Sequence, residues 1–234
     1  MDLQKQYDKH ERIVFFGGAG VSTESGIPDY RSKNGIYQLG FKLPAETMLS
    51  HSFFYSHTED FYDFYKKVML HPEAKPNQAH LKLAEMEKTK LCSVITQNID
   101  GLHQKAGSKR VHELHGSVYR NHCVRCHKSY GIEAILSSEG VPKCDCGGII
   151  KPDVVLYEES LDYDVLSQAV QDISEADMLI IGGTSLNVYP AAGLIRYFNG
   201  DCIVIINLQP TNYDRMATLV IEEPIGKVFK ELKV

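Results

Sequence analysis

The sequence predicts an α/β fold: a mostly parallel sheet with a smaller zinc-binding module inserted into it. Three observations carry this. Short apolar runs alternate with longer stretches of helical periodicity, the pattern of strands joined by crossover helices. The first apolar run feeds directly into a glycine turn, Gly17-Gly18-Ala19-Gly20. Residues 119–155 then break the rhythm with clustered cysteines, glycines and prolines.

Taken in order, Arg12–Phe16 reads as a buried strand ending in that turn. Ser22, Thr23 and Ser25 follow as candidate caps of a short helix. Gly26-Ile27-Pro28-Asp29 breaks the pattern, and 27–50 reads as a long loop over the glycine turn. His51–Leu70 is helical, with Phe53, Phe54, Phe61, Phe64, Val68 and Met69 as its apolar members and Pro72 and Pro76 ending it. Asn77–Lys88 is a second helix with Ala79, Leu83, Ala84 and Met86 on one face. Strands are predicted at Leu91–Thr96, Asp177–Gly182, Cys202–Asn207 and Thr218–Ile221, and helices at Tyr163–Ile173 and Pro190–Phe198. There is no internal repeat and no low-complexity segment.

The 234 residues are 43% hydrophobic and 24% charged, an ordinary globular balance. No apolar run reaches the roughly 18–20 residues that span a bilayer. Met1–Arg12 lacks the apolar stretch of a secretory signal, so the expected location is cytoplasmic and no membrane partner is expected. A formal charge of −5 argues against direct nucleic-acid binding, which needs phosphate neutralisation. The local density of Lys105, Lys109, Arg110, Arg120, Arg125 and Lys128 reads as solvated surface around a metal site.

Of six cysteines, Cys92 and Cys202 sit in apolar runs and read as buried thiols. The other four form Cys123-x2-Cys126, then 17 intervening residues, then Cys144-x-Cys146. Four thiolates fill a tetrahedral zinc and leave no open position, so the predicted site is structural. Gly147-Gly148 lets the backbone fold back on the metal. Binding would take the formal charge to about −7.

Gly18-Ala19-Gly20 after a strand suits close approach of backbone to a pyrophosphate and makes the sheet Rossmann-like. It is not a dehydrogenase fingerprint: Thr23 stands where the third glycine belongs, and no acidic residue follows at about 20 positions. Thr96-Gln97-Asn98-Ile99-Asp100, Gly182-Gly183-Thr184-Ser185 and Asn207 end three further predicted strands in small or polar residues. Ligands of open α/β sheets bind at such carboxyl ends, and together these ends suit one long polar ligand. His112-Glu113-Leu114-His115 has the wrong spacing for the H-E-x-x-H zinc signature. His115 reads instead as a general base, since imidazole titrates near neutrality.

These motifs resemble the sirtuin family in kind and in order. They are Gly18–Ser22, Gly26-Ile27-Pro28-Asp29-Tyr30-Arg31, Thr96–His103, Leu114-His115-Gly116-Ser117, the four cysteines, Gly183-Thr184-Ser185-Leu186 and Ile206-Asn207-Leu208. The resemblance runs from about residue 10 to the end. It implies an NAD-dependent protein-lysine deacylase, chiefly a deacetylase, acting on acyl-lysine proteins or peptides and yielding free lysine, nicotinamide and O-acetyl-ADP-ribose. The implied domains are a Rossmann-like NAD-binding domain, 1–118 and 156–234, with a helical and loop insertion around 30–76, and a zinc module at 119–155. Ala19, Gly20, Thr23, Asp29, Tyr30 and Arg31 would hold the phosphates and nicotinamide side. Gln97 and Asn98 would order the nicotinamide ribose and its water. Ile99 and Asp100 would line the nicotinamide pocket, with Asp100 reading the carboxamide. Gly183, Thr184, Ser185, Asn207, Leu208 and Ile225 would hold the adenosine half. His115 would activate a ribose hydroxyl, with Gln97 and Asn98 completing the catalytic set. Two alternatives share parts of this set: an NAD-dependent ADP-ribosyltransferase, and an NAD- or zinc-mediated interaction module without catalysis.

Three departures from the family pattern stand out. Within Lys151–Glu159, the segment that resembles the family's peptide-pairing strand, Tyr157-Glu158 replaces the usual Phe-Gly, and Glu158 is expected to favour basic flanking residues. Tyr30 stands where Phe is common, with little expected effect. Some relatives that remove acidic acyl groups carry Tyr-x-x-Arg on a helix. Here Tyr62 is followed by Tyr65, and Lys66 is rotated by about 100°. Acetyl and neutral acyl groups are therefore expected over acidic ones.

Overall fold

The computed structural model describes residues 2–32, 35–38, 40–41 and 43–234. Its strands are β1 (Arg12–Gly17), β2 (Leu91–Thr96), β3 (Val111–Glu113), β4 (Gly116–Cys123), β5 (Ser129–Tyr130), β6 (Ile150–Val154), β7 (Met178–Gly182), β8 (Cys202–Ile206) and β9 (Leu219–Ile221). The α-helices are α1 (Leu3–Lys9), α2 (Ala45–Met48), α3 (His51–Ser56), α4 (Thr58–Val68), α5 (Gln78–Met86), α6 (Leu102–Ala106), α7 (Glu133–Leu136), α8 (Tyr163–Glu175) and α9 (Ile225–Glu231).

Six strands form one wholly parallel sheet in the order β3-β2-β1-β7-β8-β9. The order reverses between β1 and β7, which makes that junction the sheet's switch point. Alternation along β1 builds two cores, one on each face. Ile13 and Phe15 join Leu83 and Met86 of α5 and Phe229 of α9; Val14 and Phe16 join Ala169 and Ile173 of α8. A second, antiparallel sheet β5-β4-β6 carries the cysteines. Its buried residues Val118 and Ile150, with Ile135 of α7, lie in a third core with Phe53, Phe54, Phe61, Phe64 and Val68 of α3 and α4. Helices α2, α3 and α4 and the cysteine module thus share one core.

The apolar strand runs fold as expected, while several helical expectations need correcting. His51–Leu70 is two helices, broken at His57 (φ −136°, ψ 51°). Ser56 Oγ–H donates to the Ser52 carbonyl at 2.7 Å and Thr58 Oγ1–H to the Phe54 carbonyl at 2.8 Å, so hydroxyls take up carbonyls where the helix would continue. Thr58, Glu59 and Asp60 then start α4 with acidic residues in its first turn. Ser22, Thr23 and Ser25 do not cap a helix. They lie inside a 3-10 segment, Ala19–Ser25, where Thr23 Oγ1–H turns back to the Gly20 carbonyl at 3.0 Å. Pro190–Phe198 is 3-10 over Ala191–Tyr197. The loop expected at 27–50 holds a 3-10 turn, Ile36–Gln38, and α2; residues 33, 34, 39 and 42 of it lie outside the described residues. Among the described residues no helix is long and apolar enough to cross a membrane.

Candidate active site at the sheet switch point

Two glycine turns from distant parts of the chain meet at the switch point. Gly18 N–H donates to the Gly182 carbonyl at 3.3 Å and Gly20 N–H to the Gly183 carbonyl at 2.8 Å. A Cβ on Gly18 would lie 2.8 Å from Thr184 Cβ, and one on Gly20 would lie 2.8 Å from Gly183 Cα. The glycines are therefore needed for the turns to touch one another as well as for any ligand to approach. Ala19 and Gly20 are half-buried there and Thr23 is exposed.

Beyond the turn, Asp29 Oδ1 accepts from Arg31 N–H at 3.0 Å and Ser32 N–H at 2.8 Å, which folds the chain back. Arg31 Nη1 then reaches Ser185 Oγ at 3.3 Å, and its guanidinium lies 5.7 Å from the Tyr37 ring centre. Tyr30 packs edge-on against Tyr37 at 5.7 Å, and burial pushes its phenol well above the usual range.

The segment after β2 supplies most of the polar groups. Gln97 N–H donates to the Gly17 carbonyl at 3.0 Å and its Nε2 to Thr184 Oγ1 at 3.3 Å. Asn98 Nδ2 donates to Ser22 Oγ at 3.0 Å, and Ser22 Oγ–H donates to Asp100 Oδ2 at 2.6 Å. Asp100 Oδ1 accepts from Leu102 N–H at 2.9 Å, at the start of α6. Buried Ser22 thus fixes Asn98 and Asp100 together. Sequence reasoning held it as a candidate helix cap and as part of a motif, not as a site residue; its place next to a glycine turn and the pairing of two polar motifs were the available signals. Half-buried Ile99 packs toward the third core.

His115 Nδ1 lies 2.9 Å from the Gln97 carbonyl oxygen. A carbonyl only accepts, so Nδ1 carries the proton and Nε2 keeps its lone pair. Burial pulls the imidazole pKa below its ordinary value, against the opposing effect of that hydrogen bond. The ring is therefore neutral near pH 7, with a free basic nitrogen.

On the other side of the switch point, Asn207 Oδ1 accepts from Thr184 N–H and its Nδ2 donates to the Thr184 carbonyl, both at 3.0 Å. This ties the end of β8 to the turn after β7. Ser185 and Leu208 are exposed, while Ile225 is buried beneath Gly182 at the start of α9.

The sulfurs of Cys123, Cys126, Cys144 and Cys146 all lie within 4.8 Å of one another. Cys123–Cys146 and Cys126–Cys144 are each 3.5 Å apart, far beyond a disulfide bond and near the ~3.8 Å expected of two thiolates on one tetrahedral zinc. Arg125 and Cys126 N–H groups point at Cys123 Sγ, at 3.4 and 3.5 Å, and Tyr130 Oη–H donates to Cys144 Sγ at 3.0 Å. Gly147 has φ +82°, and a Cβ on Gly148 would meet Cys123 Sγ at 2.6 Å. The donor set and its backing fit a structural zinc. Of the cations expected around the site, Lys128 pairs with Asp145, Arg125 Nη1 donates to the Cys146 carbonyl at 2.9 Å and Arg120 pairs with Glu113 and Asp153, whereas Arg110 pairs with Asp172 of α8 beside the parallel sheet.

The stretch matched to the acidic-acyl motif is occupied otherwise. Tyr62 Oη–H donates to the Ile150 carbonyl, Tyr65 is fully buried, and Lys66 Nζ donates to the carbonyls of Ser138 and Gly140 at 2.6 and 2.7 Å.

Residues 18–190 match the model of the Sir2 family. An NAD-dependent protein deacetylase of Clostridium acetobutylicum is 58% identical over 234 residues, covering 98% of this chain and 96% of that one. One of Clostridium perfringens is 60% identical over 231 residues, covering 97% and 95%. Among solved structures, a Sir2 variant with a deacetylated p53 peptide and 3′-O-acetyl ADP-ribose superposes with a TM-score of 0.89 at 43% identity, covering 98% of this chain and 96% of that one. A Sir2 with p53 peptide and NAD+ gives 0.85 at 42%, with the same coverage. With a family match over most of its length and relatives this similar along all of it, the chain belongs to the Sir2 family.

Proposed function

We infer that this protein is an NAD-dependent protein-lysine deacetylase. The observation that carries the reading is the imidazole of His115, held with Nδ1 protonated by the Gln97 carbonyl and with Nε2 free, beside the switch point of a Rossmann-like sheet. Bound NAD would supply the ribose carbon that the acyl oxygen attacks as nicotinamide leaves; attack by a ribose hydroxyl and then by water would release free lysine and leave O-acetyl-ADP-ribose. The chain's own residues do the rest. Gln97 and Asn98 orient the ribose and its water, and His115 Nε2 takes a proton from a ribose hydroxyl. Ile99 and Asp100 line the nicotinamide pocket, with Asp100 placed by Ser22 and Leu102 N–H.

Ala19, Gly20, Thr23, Asp29, Tyr30 and Arg31 serve the phosphates and nicotinamide side. Gly183, Thr184, Ser185, Asn207, Leu208 and Ile225 serve the adenosine half, Asn207 and Ile225 by shaping its floor from below. The four cysteines hold zinc in a structural role. The peptide lies along 155–159, and the domains are a zinc module, 119–155, and a nucleotide-binding domain, 1–118 with 156–234, whose insertion around 30–76 packs through α3 and α4 on the module's core. A cytoplasmic location belongs to the same reading, supported by a four-thiolate site of the kind reducing compartments maintain.

Incubation with NAD and an acetyl-lysine peptide, followed by mass spectrometry, tests this. Free lysine, nicotinamide and O-acetyl-ADP-ribose in equal amounts are expected. ADP-ribose retained on protein without deacetylation, or NAD left intact, would overturn it.

A further inference from the structure

Where the chain turns back after β6, Glu158 has φ +76°. A residue carrying a Cβ is disfavoured in that left-handed region, where glycine is the default. Two bonds hold it there. Ser52 N–H donates to Glu158 Oε2 at 2.8 Å, and Ser52 Oγ–H donates to Oε1 at 2.9 Å. They belong to a set of contacts that builds the start of α3. His51 N–H donates to the Tyr157 carbonyl at 2.9 Å and Phe53 N–H to Ser50 Oγ at 3.1 Å. Each of the first three N–H groups of α3 thus has a partner, and two of the three partners belong to residues 155–159.

The same strap is tied at its other end. Val155 N–H donates to the carbonyl of His115 and Tyr157 N–H to that of Leu49, both at 3.0 Å. Glu159 adds a brace, accepting from Leu156 N–H at 2.9 Å and Lys151 Nζ at 3.2 Å. A line of hydrogen bonds therefore runs from the candidate base to α3, and Glu158 closes it. Both oxygens of the carboxylate are engaged by one serine, which turns the side chain onto the start of α3. The geometry points away from selection of basic flanking residues and toward a positioning role.

We propose that Glu158 is a positioning residue for the acyl-lysine peptide. Its clasp on Ser52 fixes the strap along which the peptide lies, so it sets peptide affinity and leaves the NAD half of the site unchanged. This rests on the deacetylase reading above, in which 155–159 pairs with the peptide.

The test compares wild type with Glu158→Gly, Ser52→Ala and Ser52→Thr. Steady-state kinetics are measured against acetyl-lysine peptide and against NAD, together with amide hydrogen exchange of the free protein. Glu158→Gly and Ser52→Ala are expected to raise the peptide KM about three- to tenfold, the cost of ordering one or two strap side chains on binding. The NAD KM and kcat stay within about twofold, and exchange at 51–52 and 155–158 accelerates. Ser52→Thr, which keeps the hydroxyl, stays near wild type. A merely structural clasp would speed exchange and lower Tm without changing the peptide KM, which overturns the proposal. So does a direct charge effect, in which Glu158→Gly alters only the ranking of lysine- and glutamate-flanked peptides while Ser52→Ala behaves as wild type. A wild-type protein that turns over no acetyl peptide removes the deacetylase reading itself, and this one with it.

Discussion

Behind the Ser22–Asp100 contact lie two imidazoles, His80 and His103, almost wholly buried with ring centres 4.7 Å apart. Asn77 N–H donates to His80 Nδ1 at 3.2 Å, which puts the His80 proton on Nε2. That nitrogen and both nitrogens of His103 have no partner among the described residues. Burial lowers the His80 pKa from 6.5 to about 4, partly offset by Asp100, and lowers that of His103 well below the usual value, with His80 adding to the effect. The unfolded chain therefore takes up these protons first as pH falls. Stability is fully present above about pH 6.5 and is lost progressively down to the folded pKa. For His80 the loss is about 2 kcal/mol by pH 5 and about 3 kcal/mol by pH 4. The perturbation is His80→Gln, which keeps an acceptor for Asn77 N–H and does not titrate. Urea unfolding of both proteins from pH 7.5 to 4 gives two curves, and protonation of the cysteine site acts on both and cancels in their difference. The wild-type curve should fall more steeply by those amounts. Parallel curves would refute the reasoning.

Three other expectations follow from the site. His115→Tyr should lower deacetylation at least about 100-fold, the usual worth of a general base, with Tm unchanged; near wild-type turnover would remove the assignment. Stripping zinc should loosen 119–155 and, through the core shared with α3 and α4, abolish activity indirectly; a metal-free protein with full activity would contradict this. The kcat/KM for acetyl-lysine should exceed that for succinyl-lysine by more than about tenfold, because Tyr62 and Lys66 are already engaged and a buried carboxylate would lack a partner. Equal values on matched peptides would count against it.

Five of the six strands of the parallel sheet were readable because they are short apolar runs ending in small or polar residues; the edge strand β3, Val111-His112-Glu113, was not. β1, β7 and β8 each need nothing but their own sequence to be recognised. The cysteine site was readable from spacing alone. The break at His57 was not, because Ser56 and Thr58 act through hydroxyls whose effect depends on which carbonyls they reach. Nor was the common core of α3, α4 and the cysteine module, which joins residues about seventy positions apart that carry no local sign of one another. Within the site, the motifs named the residues but not their order of contact: Ser22 between Asn98 and Asp100, and His115 on the carbonyl of Gln97, follow only from the turn geometry. Glu158 was visible as a departure, and its meaning lay in Ser52.

The switch point also sets an order of events in the life of the chain. Its two walls are the turns after β1 and β7, and Asn207 braces the second of them. The pairing of β1 with β7 closes a loop of some 165 residues, a contact that pays its entropy late. During synthesis β1 and its glycine turn emerge first and wait beside β2, with one edge of β1 unpaired. Only when the ribosome has released the chain past Asn207 can the nucleotide groove exist. A nascent fragment ending before Met178 exposes the open edge of β1, Ile13 to Gly17, to any other strand it meets.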